Sequence, residues 1–192
     1  RESHLCLEPL AHDGHASIDH FFRALAQAQR SNAAGVVLTG KGVDGTLGIR
    51  EIRHWGGLTV VQEPEEAYEK EMPMNAIRCG KVDAVLPLKT IPKFLQNYSD
   101  CRPGIFEKVF LTEGDNELNT QIHRIFALVK VRTGYDLKDY DLKKVIQSVE
   151  RRMKLHQFED LKDYIEKLLQ FPDEATSLCY GLMEGNNFFL RK

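Results

Sequence analysis

The stretch Leu38-Thr39-Gly40-Lys41-Gly42-Val43-Asp44-Gly45 constrains the fold more than any other part of the chain. It follows the apolar run Gly35-Val36-Val37-Leu38 and leads into a helical pattern of Leu47, Ile49, Ile52 and Trp55. A buried strand, a glycine turn and a helix start are written in succession. Gly40, Gly42 and Gly45 let the backbone turn tightly and approach a neighbour closely. Asp44 falls at the turn, where its carboxylate can cap the helix. A Walker loop would need Ser or Thr after Lys41, where Gly42 stands instead. In open α/β sheets ligands bind at the carboxyl ends of the strands, which is where Asp44 is expected.

Up to about residue 98, short β-branched runs alternate with helical segments. Strands are expected at Gly35–Thr39, Leu58–Gln62 and Val82–Leu86, and helices at Ile18–Gln29, Asp44–Trp55, Met74–Cys79 and Ile91–Tyr98. The alternation implies βαβ units and a partial doubly wound parallel sheet, incomplete at its N-terminus, with the remaining strands expected before residue 1. His4–Leu7 is a candidate edge strand. Residues 99–114 carry Asp100, Pro103, Gly104 and Gly114 and read as an interdomain connection. Beyond it every periodic segment is helical: Leu118–Thr133, closed by Gly134, then Leu142–His156, Leu161–Gln170 and Glu174–Met183, with Pro172 able to open the last one. Residues 115–192 are thus expected to form a small all-α bundle.

Composition excludes several classes of function. The 192 residues carry a net charge of −2, which gives no reason to expect nucleic acid. No apolar run is long enough for membrane insertion. Cys6, Cys79, Cys101 and Cys179 are scattered without CxxC spacing and read as reduced thiols of a cytoplasmic protein. There is neither a starting Met nor a signal-peptide pattern at Arg1, so the chain reads as an internal piece of something longer. His4, Cys6, His12, His15 and His20 fit no metal-ligand spacing, and no metal is expected. The acidic run Glu63, Glu65, Glu66, Glu69 and Glu71 reads as a solvated loop and helix face.

Several motifs in order carry a family resemblance. Ser17-Ile18-Asp19-x-Phe21-Phe22, the glycine turn through Asp44-Gly45, Gly56-Gly57-Leu58-Thr59-Val60-Val61-Gln62-Glu63-Pro64, Met72-Pro73-x-x-Ala76-Ile77 and Gly80-x-Val82-Asp83-x-Val85-Leu86-Pro87 resemble the chemotaxis receptor methylesterases, the CheB family. The resemblance runs over about residues 4–98. It implies hydrolysis of receptor glutamyl methyl esters by a Ser, a His and an Asp, in that chain order. Asp44 carries over as the Asp, while the family Ser and His lie upstream of Arg1. Ser17 matches a structural helix cap and not the nucleophile. Lys41 departs from the family pattern, where many members have Met.

The second half resembles the N-terminal helical domain of the chemotaxis receptor methyltransferases, the CheR family. The motifs are Ile125-x-x-Leu128-Val129-x-x-Arg132-x-Gly134, Glu150-Arg151-Arg152-Met153-x-Leu155-His156, Tyr164-x-x-x-Leu168 and Glu174-x-x-x-Leu178. This implies a protein-glutamate O-methyltransferase using S-adenosylmethionine, with the cofactor domain expected after Lys192. It also implies a basic helix that engages a chemoreceptor or related signalling protein, with Arg151, Arg152 and Lys154 as candidate contacts. Gln147 and Ser148 stand where fusion-type members often have two Arg, and Asp141 replaces a usual Lys. Gly185-Asn186-Asn187-Phe188-Phe189-Leu190-Arg191 stands where the family reads Gly-x-Thr-x-Phe-Phe-Arg, making Asn187 and Arg191 the candidate cofactor contacts.

The two resemblances together identify the chain as the junction of a methylesterase–methyltransferase fusion of bacterial chemotaxis. The alternative is a non-catalytic scaffold, a partner-binding module of a two-component signalling protein. Lys41, Asn187 and the missing arginines lean toward that alternative.

Overall fold

The computed structural model describes residues 16–111 and 116–184. They divide into two compact units, one ending at Leu88 and one starting at Lys89.

The first unit is a parallel sheet with helices, as the alternation predicts. Its strands β1 (Ala34–Val37), β2 (Leu58–Gln62) and β3 (Ala84–Leu86) lie in the order β1-β2-β3. Val37 pairs with Val61, and Val61 with Val85. The central strand β2 is buried along its whole length, the expected state of a parallel strand covered on both faces. Its one hydroxyl is satisfied: Thr59 Oγ1 donates to Lys81 O at 2.7 Å and lies 2.9 Å from Asp83 Oδ2. The helices are α1 (Ser17–Gln29), α2 (Thr46–His54) and α3 (Glu71–Arg78). Phe22, Ala26, Val37, Ile49, Ile52 and Val61 form the core between sheet and helices. Leu47, counted on the apolar stripe of α2, is 45% exposed.

Several boundaries differ from expectation by one to three residues, and three of them have a local reason. β1 stops before Thr39 because the Thr39 N–H donates to the Gln62 side chain, leaving the strand ladder. β3 begins only at Ala84 because the Thr59 N–H of β2 donates to the Asp83 side chain at 2.9 Å and not to a main-chain carbonyl. α3 starts at Glu71 and places Pro73 in its first turn, where a missing N–H costs nothing.

The second unit is all-α. Its helices are α4 (Ile91–Asp100), α5 (Ile105–Leu111), α6 (Asn116–Thr133), α7 (Leu142–His156), α8 (Leu161–Gln170) and α9 (Pro172–Glu184). One core holds Ile105, Ile125, Val129, Val145, Ile146, Val149, Met153, Tyr164, Leu168 and Leu178. Gly134 ends α6 with φ +78°, its N–H donating to Lys130 O, and Pro172 opens α9 as expected. Asp141 and Asp160 cap α7 and α8 by accepting from the N–H of Lys143 and Lys162, each at 2.8 Å. Capping thus supplies a structural reason for Asp141 at a position where Lys is usual.

Two expectations meet a different arrangement. The division at residue 98 assigned α4 to the sheet half, whereas α4 lies in the helical unit. There Lys154 Nζ stands 5.9 Å from the centre of the Tyr98 ring, and the Cys101 thiol donates to Phe158 O at 3.4 Å. Residues 99–114, read as a connection, contain α5. Ile105 is buried in the helical core, and the Phe106 N–H donates to Glu150 Oε1 at 2.8 Å. Pro103 and Gly104 do lie in a non-helical break, but Asp100 is the last residue of α4 and Ile105 buries itself. The candidate strand at His4–Leu7 lies outside the described residues.

Candidate active site

Asp44 stands in the turn between β1 and α2, at the carboxyl end of β1. Its carboxylate accepts three main-chain N–H groups. Ile18 donates to Oδ2 at 3.0 Å, and Asp19 and Gly45 donate to Oδ1 at 2.9 and 2.8 Å. Ile18 and Asp19 belong to the first turn of α1, so Asp44 caps α1 and not the helix that follows it. The residue before α2 is Gly45, with φ +88°, a conformation open to glycine. Helix α1 is preceded by Ala16 with no side-chain cap, so Ser17 is not the cap expected of it. Its free N–H groups are met by Asp44 across space, and the local Ser is not required.

The exchange runs in both directions. Asp19 is buried, and its Oδ1 accepts the Gly48 N–H in the first turn of α2 at 2.6 Å. Each of two consecutive helices is capped by a carboxylate belonging to, or just preceding, the other. Both charges lie at the positive ends of helix dipoles. Close contact makes this possible: a methyl at Gly48 would lie 2.5 Å from Phe22 Cβ on α1.

The glycine turn is held from its other side by residues 62–75. Gln62 Oε1 accepts the Thr39 N–H at 2.9 Å. Glu69 O accepts the Gly40 N–H, and the Met72 N–H donates to Gly40 O, both at 3.0 Å. Glu71 Oε2 accepts the Gly42 N–H at 2.8 Å, and Asn75 Nδ2 donates to Gly42 O at 2.9 Å. The acidic run is therefore more than a solvated face. Glu69 and Glu71 hold the turn that carries Asp44, a role that charge patterning does not reveal because it depends on where the loop returns.

Lys41 points outward. Its side chain is 75% exposed and its Nζ lies 3.3 Å from Glu69 Oε1, so a carboxylate offsets its charge. His20 is also exposed. Among the described residues no cluster of His, Cys, Asp and Glu could hold a metal ion. His4, Cys6, His12 and His15 lie outside the described residues.

In the helical unit Arg151, Arg152 and Lys154 do not form one open basic face. Arg151 is 7% exposed, within the packed side of α7. Arg152 is committed to Glu174: its Nε donates to Oε1 at 2.7 Å and its Nη2 pairs with Oε2. Lys154 lies beside Tyr98. The exposed cation of this helix is Lys143, near its start. Helical spacing placed Arg151 and Arg152 among the charges but did not reveal the buried acceptor, Glu174.

Glu174 gathers His156 Nε2 at 2.9 Å and the Tyr164 hydroxyl at 3.0 Å in addition to Arg152. Burial raises its carboxyl, but the His156 and Arg152 hydrogen bonds and their charges outweigh this and hold it at about 2. Burial pushes the Tyr164 hydroxyl well above its usual value, with the Glu174 charge acting in the same direction. This cluster ties α7, α8 and α9 together. Asn187 and Arg191 lie outside the described residues.

Residues 1–95 match the CheB methylesterase family, and residues 120–182 match the all-alpha domain of CheR methyltransferases. The chain joins a CheB-type segment to a CheR-type all-alpha segment. A similar protein from Photobacterium profundum, named protein-glutamate methylesterase/protein-glutamine glutaminase 1, is 38% identical over 93 residues, 48% of this chain and 26% of that protein. An uncharacterized 104.1 kDa protein in the hypE 3' region of Rhodobacter capsulatus is 28% identical over 193 residues, 91% of this chain and 20% of its own length. That similarity extends through both the CheB-type and CheR-type segments. The CheB methylesterase catalytic domain of Thermotoga maritima is 34% identical, covers 40% of this chain and 41% of its own, and superposes with a TM-score of 0.39. The chain spans 20% and 26% of the length of the two curated relatives named here. Asp44 lies within the CheB-type segment, and Arg152 and Glu174 within the CheR-type one. Among the described residues no helix is long and apolar enough to cross a membrane.

Proposed function

We propose that Asp44 is the orienting carboxylate of a chemotaxis-type protein-glutamate methylesterase, in a longer protein whose upstream sequence supplies a Ser nucleophile and a His base. In such a site the Ser oxygen attacks the ester carbonyl and the His takes its proton. The Asp holds the imidazole in the correct tautomer and stabilises its charged form. The observation that carries this reading is the held carboxylate itself. Three main-chain N–H groups fix Asp44 at the carboxyl end of a parallel strand, and its own turn is tied down by residues 62–75. A fixed acceptor is what an orienting residue requires, because it loses nothing to reorganisation when charge develops on the base.

The helical unit is read as the N-terminal domain of a protein-glutamate O-methyltransferase, with S-adenosylmethionine bound by sequence beyond residue 192. A chemoreceptor or a related signalling protein in the cytoplasm is the partner of both activities. Gln147 and the neighbouring Lys143 and Lys144 on α7 replace the buried Arg151 and the Glu174-paired Arg152 as the face to test for docking.

A specific observation favours the second reading, a non-catalytic scaffold. The hydrogen bonds described for Asp44 all come from main-chain N–H groups, as a purely structural cap would show. Assay of receptor methyl-ester hydrolysis by the full-length protein and its Asp44→Asn variant separates the two. Loss of turnover with an unchanged fold supports the esterase with Asp44 in that role; equal turnover reduces Asp44 to a helix cap, and no turnover in either protein supports the scaffold.

A further inference from the structure

We propose that Asp19 is a positioning residue for Asp44, and that it couples the orientation of the esterase carboxylate to the packing of α1 on α2. This rests on the reading of Asp44 given above. Asp19 is bonded in both directions: its N–H donates to Asp44 Oδ1 at 2.9 Å, and its carboxylate accepts from Gly48 at 2.6 Å. Asp44 depends on the first turn of α1 for two of its three described N–H donors. The place of that turn depends in turn on where Asp19 meets α2. The Asp19 carboxylate is buried and satisfies a buried main-chain N–H, so removing it leaves Gly48 without its acceptor. Phe22, which a methyl at Gly48 would meet at 2.5 Å, packs over this same position, so the loss of the Asp19–Gly48 bond frees the packing of α1 on α2. The two N–H groups aimed at Asp44 move with α1. Asp19 touches neither the nucleophile nor the substrate in this scheme; it acts through Asp44.

The test uses the full-length protein with Asp19→Ala, Asp19→Asn and Asp44→Asn, read by methyl-ester hydrolysis and by amide hydrogen exchange. Asp19→Ala is expected to lower kcat about tenfold to a hundredfold while KM stays near its original value. It is also expected to speed exchange at the N–H groups of Ile18 and Asp19 well beyond any change at Ile52 and Val60. Asp19→Asn keeps an oxygen for Gly48 and should recover most of both. Unaltered kcat in Asp19→Ala overturns the proposal. So does an exchange increase spread evenly over Ile18, Asp19, Ile52 and Val60, which is loss of stability alone. If Asp19→Ala does not fold, Asp19→Ser is read in the same assays with the same criteria. Failure of the underlying reading looks different: Asp44→Asn then turns over normally, while exchange at Ile18 and Asp19 still judges whether Asp19 holds the turn.

Discussion

The N–H of Asp19 donates to the carboxylate of Asp44 at 2.9 Å, although the two residues belong to different helix–turn segments of the chain. Asp44 is thereby both a cap for α1 and a candidate orienting group. Substitutions at this position read out the two roles separately.

Asp44→Asn keeps one oxygen, enough to accept from Asp19 and Gly45, and loses the bond from Ile18 because an amide nitrogen faces that donor. The expected loss of stability is about 1 kcal/mol, and Asp44→Ala should lose about 2 kcal/mol. Urea denaturation of the 192-residue chain measures both. In a full-length active esterase Asp44→Asn should cost on the order of 10⁴ in turnover, by analogy with the Asp-to-Asn change of a serine protease triad.

Residues 1–192 alone should not hydrolyse a receptor methyl ester, since in the proposed reading Asp44 is their one member of the triad. Release of methanol from a methylated receptor peptide checks this. Hydrolysis that survives in the purified chain and disappears with Asp44→Asn would place the nucleophile within these residues.

Lys41→Met should change little. Lys41 is 75% exposed and already beside Glu69, and exposed pairs of this kind contribute about 0–1 kcal/mol. The expected outcome is a melting curve and, in the full-length esterase, a pH–rate profile that superimpose on those of the parent. A clear upward move of the pH–rate profile would mean that Lys41 acts on the base despite its outward direction.

Glu174 makes the helical unit acid-sensitive in a defined range. Its folded-state pKa is depressed from 4.5 to about 2, so its contribution is fully present above 4.5 and is lost as pH falls toward 2. A depression of this size corresponds to roughly 3 kcal/mol by linkage. Glu174→Gln should lower stability at neutral pH by a similar amount and flatten the pH dependence between 4.5 and 2. Denaturation followed by circular dichroism across that range tests both.

Residues 89–192 should melt at a higher temperature than residues 114–192, because the shorter piece loses α4 and α5 with Ile105, Tyr98 and Cys101. For a domain of this size each lost kcal/mol lowers Tm by about 4–8 °C. Equal melting temperatures would mean that α4 and α5 add no stability.

Element type was legible wherever periodicity was long: β2, α7 and α8 have the bounds read from their patterns. The glycine turn and the place of Asp44 at a strand's carboxyl end were legible too. Which helix Asp44 caps was not, because the donors Ile18 and Asp19 are far from it in sequence and adjacent only after folding. Ser17 illustrates the same limit from the other side. It has the right chemistry at the right position, yet Asp44 arrives from outside and takes the donors. Arg151 and Arg152 read as surface charge because a periodic pattern cannot distinguish a cation in water from one pointing at a buried carboxylate. Segment 99–114 misled through its turn residues, which were real, while Ile105 and Phe106 obeyed burial.

The bonds from Glu69, Glu71 and Met72 to the glycine turn also divide the loop after β2 into parts with different freedom to vary. Beyond Tyr68 a change of length would drag Thr39, Gly40 and Gly42 with it. Between Pro64 and Tyr68 the described chain makes no bond to the turn, and Tyr68 is 92% exposed. A change of length at Pro64–Tyr68 is therefore expected to leave the bonds of the turn in place, whereas one between Glu69 and Asn75 is expected to break them.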